Sequence, residues 1–220
     1  MDLGDPEAPL IALSRHAGPA DSVAVAWLFY HTGGRLPRIV LAAALRWDPG
    51  IDLILTRLGS SFVPSRTGAG EDRVGRVRGL AASLDEDDAL LLFPEGQNWT
   101  PHRRRQLIEQ LRAAGRWARL RQAERLRHVL PPKPRGVVAT LTERPDADVM
   151  IVAHAGFGML TGPRAIYETI PFRRPFLVHT RTYAAAQVPR DPAAIEAWLE
   201  QRWAEVDAWV AAQDEDRLSA

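Results

Sequence analysis

His16 and Asp21 stand five positions apart in SRHAGPADS, with Gly18-Pro19 between them. A carboxylate that accepts from the Nδ1–H of an imidazole fixes its tautomer and leaves Nε2 free to take a proton from an attacking hydroxyl. The Gly-Pro turn brings the two within reach. The same residues also fit a plainer arrangement, in which Asp21 caps the first turn of a helix and His16 is an ordinary loop residue. A His–Asp pair at this spacing is expected by chance about 0.4 times in a chain of this composition, so the pair alone decides nothing.

Two further stretches carry chemistry. Phe93-Pro94-Glu95-Gly96 follows a continuously apolar run, ALLLF at 89 to 93. It reads as a tight turn, with Pro94 fixing φ and Gly96 supplying a left-handed conformation. Glu95 is expected to point into a crevice beside His16, where it can accept from a substrate hydroxyl or brace an arginine. Within GSSFVPSR at 59 to 66, Arg66 offers a planar fork suited to phosphate.

The elements that must position these residues follow from periodicity. Residues 9 to 15, 38 to 45, 89 to 93, 148 to 155 and RPFLVHTRTY read as strands, the last as an edge. Helices are expected at about 21 to 30, 49 to 58, 71 to 84, 101 to 130 with a break near Gly115, 134 to 143 and 192 to 212. GPRAIYETI reads as a short helix or loop, and 213 to 220 as a polar tail. Strands alternating with helices predict a single α/β domain over residues 1 to 220, its core at about 9 to 183, with a mostly parallel mixed sheet flanked by helices. His16 and Glu95 then follow strand carboxyl ends, the edge where ligands collect in open α/β sheets, while Arg66 stands at the end of a brief extended segment, SSFVPS.

Composition narrows the function classes. With 46% hydrophobic residues, 220 positions bury one substantial core. The chain has no cysteine, so any nucleophile is oxygen or nitrogen. Net charge is +1, which gives no global attraction to nucleic acid. VAVAWLFY at 23 to 30 is too short to span a bilayer, and the first residues lack the regions of a signal peptide, so a cytoplasmic protein is expected. Residues 102 to 128 hold nine arginines, with Arg105, Arg112, Arg116 and Arg119 beside an apolar face. Such a surface suits anionic headgroups, coenzyme A phosphates or an acidic carrier protein. His154 and His179 read as core or edge residues and His31 and His102 as loop residues. No metal ligand set is expected, and the absence of Gly-x-Ser-x-Gly disfavours an α/β hydrolase.

Taken in order, His16 to Asp21, Gly59 to Arg66 and Phe93 to Gly96 resemble the motifs of the glycerolipid and lysophospholipid acyltransferases, the 1-acylglycerol-3-phosphate O-acyltransferase family, with the strand from Asp148 to His154 as a fourth segment. PPKPRGVVATL is similar to a stretch of the lysocardiolipin-like branch. Gln97-Asn98-Trp99 departs from the Thr that usually follows Phe-Pro-Glu-Gly. The resemblance implies acyl transfer from acyl-coenzyme A or acyl-carrier protein, as co-substrate and without a cofactor, to a hydroxyl of a lysophospholipid. It implies His16 as general base, Asp21 as its orienting partner, and Arg66 with Phe93, Pro94, Glu95 and Gly96 around the phosphate and glycerol of the acceptor. Peripheral contact with the inner face of the cell membrane, and no nucleic-acid partner, are the matching expectations. The competing class is a non-catalytic lipid-binding or anionic-surface-binding protein on the same scaffold.

Overall fold

A computed structural model describes residues 4–18, 21–42, 61–63, 70–156, 167 and 175–218. Six strands form one sheet in the order β3-β2-β4-β1-β5-β6. These are β1 (Leu10–Ser14), β2 (Leu36–Ala42), β3 (Ser61–Val63), β4 (Asp88–Leu92), β5 (Asp148–Ala155) and β6 (Leu177–Tyr183). All neighbours run parallel except β5 and β6. The expected α/β class with a mostly parallel mixed sheet is what the chain forms.

Helices α1 (Asp21–Gly33), α2 (Gly70–Ala82), α3 (Pro101–Ala113), α4 (Trp117–Arg125), α5 (Pro134–Glu143) and α6 (Pro192–Leu218), with a 3-10 turn at Ala185–Gln187, complete the described elements. The strands sort their side chains at period two. Leu10 and Ala12 of β1, Leu91 of β4 and Met150 and Val152 of β5 face Val25 and Phe29 of α1. Ile11 and Leu13, Leu90 and Leu92, and Val149 and Ile151 face the other way, onto α2, α5 and α6. Both faces are therefore covered, which is why β1, β4 and β5 read as unbroken apolar runs. β6 is the exception: it lies at the edge, mostly uncovered, and carries His179, Thr180, Arg181 and Thr182, polar side chains that discourage edge-to-edge pairing.

Boundaries differ from expectation where local chemistry overrides pattern. α1 runs past Tyr30 to Gly33, because the left-handed residue that stops it is Gly34, at φ 63°. β2 begins two residues early and includes Pro37. The missing N–H is tolerated there because β3 pairs with β2 only from Val40 onward. α6 continues to Leu218, through most of the expected polar tail, whose Ala, Gln, Glu and Asp residues extend a helix already anchored by Ile195, Leu199, Trp203, Val206 and Val210. The break at Gly115 occurs as expected, at φ 64°, but α4 ends at Arg125 rather than near 130. The expected helix at 49 to 58, Arg66 and GPRAIYETI apart from Tyr167 lie outside the described residues. Among the described residues no helix is long and apolar enough to cross a membrane.

The arginine-rich pair folds back on itself. α3 buries none of its residues, and several of its cations serve the hairpin. Arg104 donates to the carbonyls of Ala123, Glu124 and Leu126, the open end of α4. Arg112 pairs with Glu124 at 3.1 Å, and Arg119 donates to the Pro132 carbonyl. Arg105 and Arg116 are exposed, so only part of the expected basic face is available to a ligand.

Trp203 is fully buried where α6 meets the sheet. Trp203→Ala is expected to cost about 3–5 kcal/mol of unfolding free energy, by lost burial and the cavity left behind. Urea denaturation of the two proteins measures it.

Candidate active site

The site is assembled at the carboxyl edge of β1 and β4. β1 is central and fully buried, so the chain leaving it emerges in a fixed direction: Arg15 N–H still donates to the Val152 carbonyl of β5, at 3.0 Å. His16 follows. Its backbone N–H donates to Glu95 Oε1 at 2.9 Å, and its carbonyl accepts from Trp99 N–H at 2.6 Å. The Phe93 ring lies 4.6 Å from the imidazole, tilted by 36°. The two loops expected at one edge do meet.

Asp21 is fully buried while the His16 side chain is 22% exposed. Both carboxylate oxygens of Asp21 lie 3.1 Å from His16 Nδ1. Oδ2 also accepts from the N–H groups of Ala17, at 2.6 Å, and Gly18, at 2.9 Å. The carboxylate thus curls back over residues 16–18, a different arrangement from a cap, which accepts from N–H groups further along the helix. Burial pushes the Asp21 carboxyl up, but the His16 hydrogen bond and charge and the Gly18 N–H outweigh it and hold the group below the usual range. An ionised Asp21 only accepts, so Nδ1 carries the proton. Nε2 is the basic nitrogen, and it bonds to no described residue.

Glu95 departs from expectation. Only 1% of it is exposed, and its carboxyl faces inward, with Oε2 accepting from Leu130 N–H at 2.8 Å and Oε1 from His16. Burial pushes its pKa up to about 8, against the pull of those two N–H groups and of Arg15. A carboxyl so placed ties loops together and has no open face toward a crevice. Pro94 and Gly96 shape the turn as expected: Gly96 N–H closes onto the Phe93 carbonyl at 3.0 Å, and Gly96 sits at φ 69°. The described chain ahead of Arg66 ends at Val63, on the outermost parallel strand.

Several groups at the site had no sequence signal. Arg15 is buried and donates from Nη1 to the His154 carbonyl at 2.7 Å and from Nε and Nη2 to the His128 carbonyl. His154 Nε2–H returns a bond to the Arg15 carbonyl at 2.8 Å and lies 3.7 Å from Asp21 Oδ2. Burial depresses the His154 pKa to about 4, so it is a neutral donor bracing the residue before His16. Asp207 of α6 accepts from the N–H groups of Arg127, His128 and Val129. That anchor holds the 126–133 segment against the loop after β4. Among the described residues no three His, Asp or Glu side chains are grouped to hold a metal ion.

The sequence model of the Acyltransferase family matches residues 5–134, more than half of the chain. An uncharacterized acyltransferase of Schizosaccharomyces pombe is 22% identical over 211 residues, covering 90% of this chain and 57% of its own length. Lysocardiolipin acyltransferase 1 of Danio rerio is 25% identical over 180 residues, covering 78% and 43%. The chain thus spans about half the length of these curated relatives. No solved structure matches it significantly.

Because the Glu95 pKa rises from 4.5 to about 8 on folding, the folded state binds the extra proton and stability falls as pH climbs between those values. His154, depressed to about 4, acts below pH 6.5. Between pH 6.5 and 8 the protein is therefore expected to lose about 1 kcal/mol per pH unit relative to Glu95→Gln. Urea titrations of both proteins across that range read the difference in slope.

Proposed function

The chain belongs to the Acyltransferase family, and from that membership and the His16–Asp21 geometry we propose that it transfers a fatty acyl group from a thioester to a hydroxyl of a lysophospholipid. The observation that carries this reading is an imidazole with Nδ1 held by a buried, doubly N–H-bonded carboxylate, at a sheet edge where loops converge. Such an arrangement leaves Nε2 as the basic nitrogen for an incoming O–H.

Nε2 takes the proton as the hydroxyl oxygen attacks the thioester carbonyl, and Asp21 stabilises the imidazolium that forms. The tetrahedral adduct then collapses: the new C–O ester bond stays, the C–S bond breaks, and the departing thiolate recovers the proton from His16. No covalent enzyme intermediate is involved. Phe93 presses on the imidazole face and limits its rotation, while Glu95 acts as a positioning residue through the backbone of His16. Arg66 is proposed to bind the phosphate of the acceptor. The acceptor class proposed is a lysophospholipid such as 1-acylglycerol-3-phosphate, and the donor acyl-coenzyme A or acyl-carrier protein.

Contact with the membrane belongs to the same proposal, at the inner face of the cell membrane. On α1, Val23, Trp27 and Tyr30 are 70%, 59% and 61% exposed and lie on one face at spacings of four and three. The charged residue of this helix, Asp21, is buried. Trp and Tyr beside an aliphatic side chain suit the boundary between headgroups and acyl chains, and the helix that presents them begins at the catalytic pair.

Two measurements test the proposal. Purified protein is offered lysophospholipids and long-chain acyl-coenzyme A or acyl-carrier protein: His16→Ala is expected to lower the transfer rate at least about 10²-fold with circular dichroism unchanged, whereas lipid binding without transfer from any donor would leave only a binding protein. In vesicle sedimentation, Trp27→Ala/Tyr30→Ala is expected to weaken partition at least about tenfold.

A further inference from the structure

β6 carries His179, Arg181 and Tyr183 two residues apart, and so on one side of the strand, the side turned toward α6. Beside them on β5 stand Ala153, in register with His179, and Ile151, in register with Arg181. With Val206 of α6 these two side chains floor a cavity of about 240 Å³. That volume lies below the roughly 300–1,000 Å³ of pockets for drug-sized ligands, so an occupant must be small. Arg202, Glu205 and Trp209 of α6 form the remaining wall, and the cavity shares no residue with the His16 site.

The polar groups around this cavity are unequally served. Arg202 is buried, donates from Nη1 to the Tyr183 hydroxyl at 2.6 Å and pairs through Nη2 with Glu205 at 2.9 Å. The same carboxylate stands 3.9 Å from Arg181 Nη1, beyond hydrogen-bond length. The Arg181 guanidinium is held over the Tyr183 ring at 5.1 Å and hydrogen-bonds to no described residue. The Tyr183 hydroxyl accepts from Arg202 but donates to no described residue, although Tyr183 is only 8% exposed. The His179 ring stacks on Trp209 at 5.6 Å, and neither of its nitrogens bonds to a described residue. Three donors therefore surround a cavity whose one carboxylate is already engaged by Arg202.

We infer that this cavity is a second binding site, for a small aliphatic carboxylate whose head is held by Arg181, the Tyr183 O–H and His179 and whose chain lies on Ile151, Ala153 and Val206. A carboxylate is acceptor-only and matches the planar guanidinium fork, so it satisfies all three donors and gives Arg181 the partner that Glu205 gives Arg202. Glu205 stays at the same wall, and its negative charge opposes a dianion such as a phosphate monoester more than a monoanion. The body is aliphatic because the aromatic rings are already engaged, Tyr183 by two guanidiniums and Trp209 by the imidazole, while the floor is branched and methyl-bearing. A short fatty-acid anion has this chemistry. Binding requires neither His16 nor Asp21, so the inference stands apart from the acyl-transfer reading.

The test is calorimetric titration of the whole chain, below the micellar range, with octanoate and with 1-octanol and octyl phosphate as controls. Octanoate is expected to bind saturably and more tightly than either control. Arg181→Gln changes a side chain that is 61% exposed, so the fold is expected to persist, with circular dichroism unchanged. It is expected to weaken octanoate at least about tenfold while leaving octanol unaffected. Tyr183→Phe weakens octanoate by a smaller factor, and His16→Ala leaves its binding as in the wild type. No saturable binding of octanoate overturns the inference, as do octanol or octyl phosphate bound as tightly and an Arg181→Gln protein that binds octanoate like the wild type. Binding lost in His16→Ala overturns it as well, since the ligand would then occupy the catalytic site.

Discussion

One buried carboxyl group, that of Glu95, joins three stretches of chain that are remote in sequence. Its two oxygens receive the backbone N–H groups of His16 and Leu130, 79 and 35 positions away. Burying a carboxyl group is costly unless its oxygens are satisfied, so each N–H it binds must stay where it is. The loop after β1, the turn after β4 and the segment leading to α5 are fixed relative to one another as a result. Arg15 reinforces the joint by bridging the carbonyls of His128 and His154, and Asp207 reaches in from α6 to gather three successive N–H groups.

Fixing the backbone of His16 matters because the imidazole has little else to define it. Asp21 sets the ring from one side and Phe93 from another, and both depend on where the main chain leaves β1. The buried polar groups therefore form two layers: Asp21 orients the side chain, while Glu95, Arg15 and His154 orient the backbone that bears it. Fully satisfied networks of this sort specify one arrangement, and losing a member leaves buried partners exposed to the desolvation cost.

The fold was legible because its strongest signals are periodic. Segments at 9 to 15, 89 to 93 and 148 to 155 announced strands, the second as a continuously apolar run, and the helix of Ile195, Leu199 and Trp203 announced its buried stripe. Ends were less legible, since Gly34 and the helix-forming residues after 212 act through local geometry that periodicity does not contain. At the site, the meeting of the His16–Asp21 loop with the Phe93–Gly96 turn was legible because both were placed just past the carboxyl ends of strands. The direction of Glu95 did not, because it depends on the N–H of Leu130, supplied by a segment whose path no local pattern reveals. Arg15 was hidden for the same reason, since its partners are backbone carbonyls brought close only by the tertiary structure; His154 was legible as a core residue but not as the donor to the Arg15 carbonyl.

The central claim is that Asp21 keeps the proton of His16 on Nδ1 and leaves Nε2 as the base. Nitrogen-15 NMR of the selectively labelled histidines measures this directly, with His16→Ala giving the assignment. The account predicts an Nδ1–H tautomer for His16 at neutral to mildly alkaline pH, lost or mixed in Asp21→Asn, with Nε2 responding when a lysophospholipid is added. A His16 that carries its proton on Nε2 in the unliganded protein, indifferent to substitution of Asp21, would contradict it.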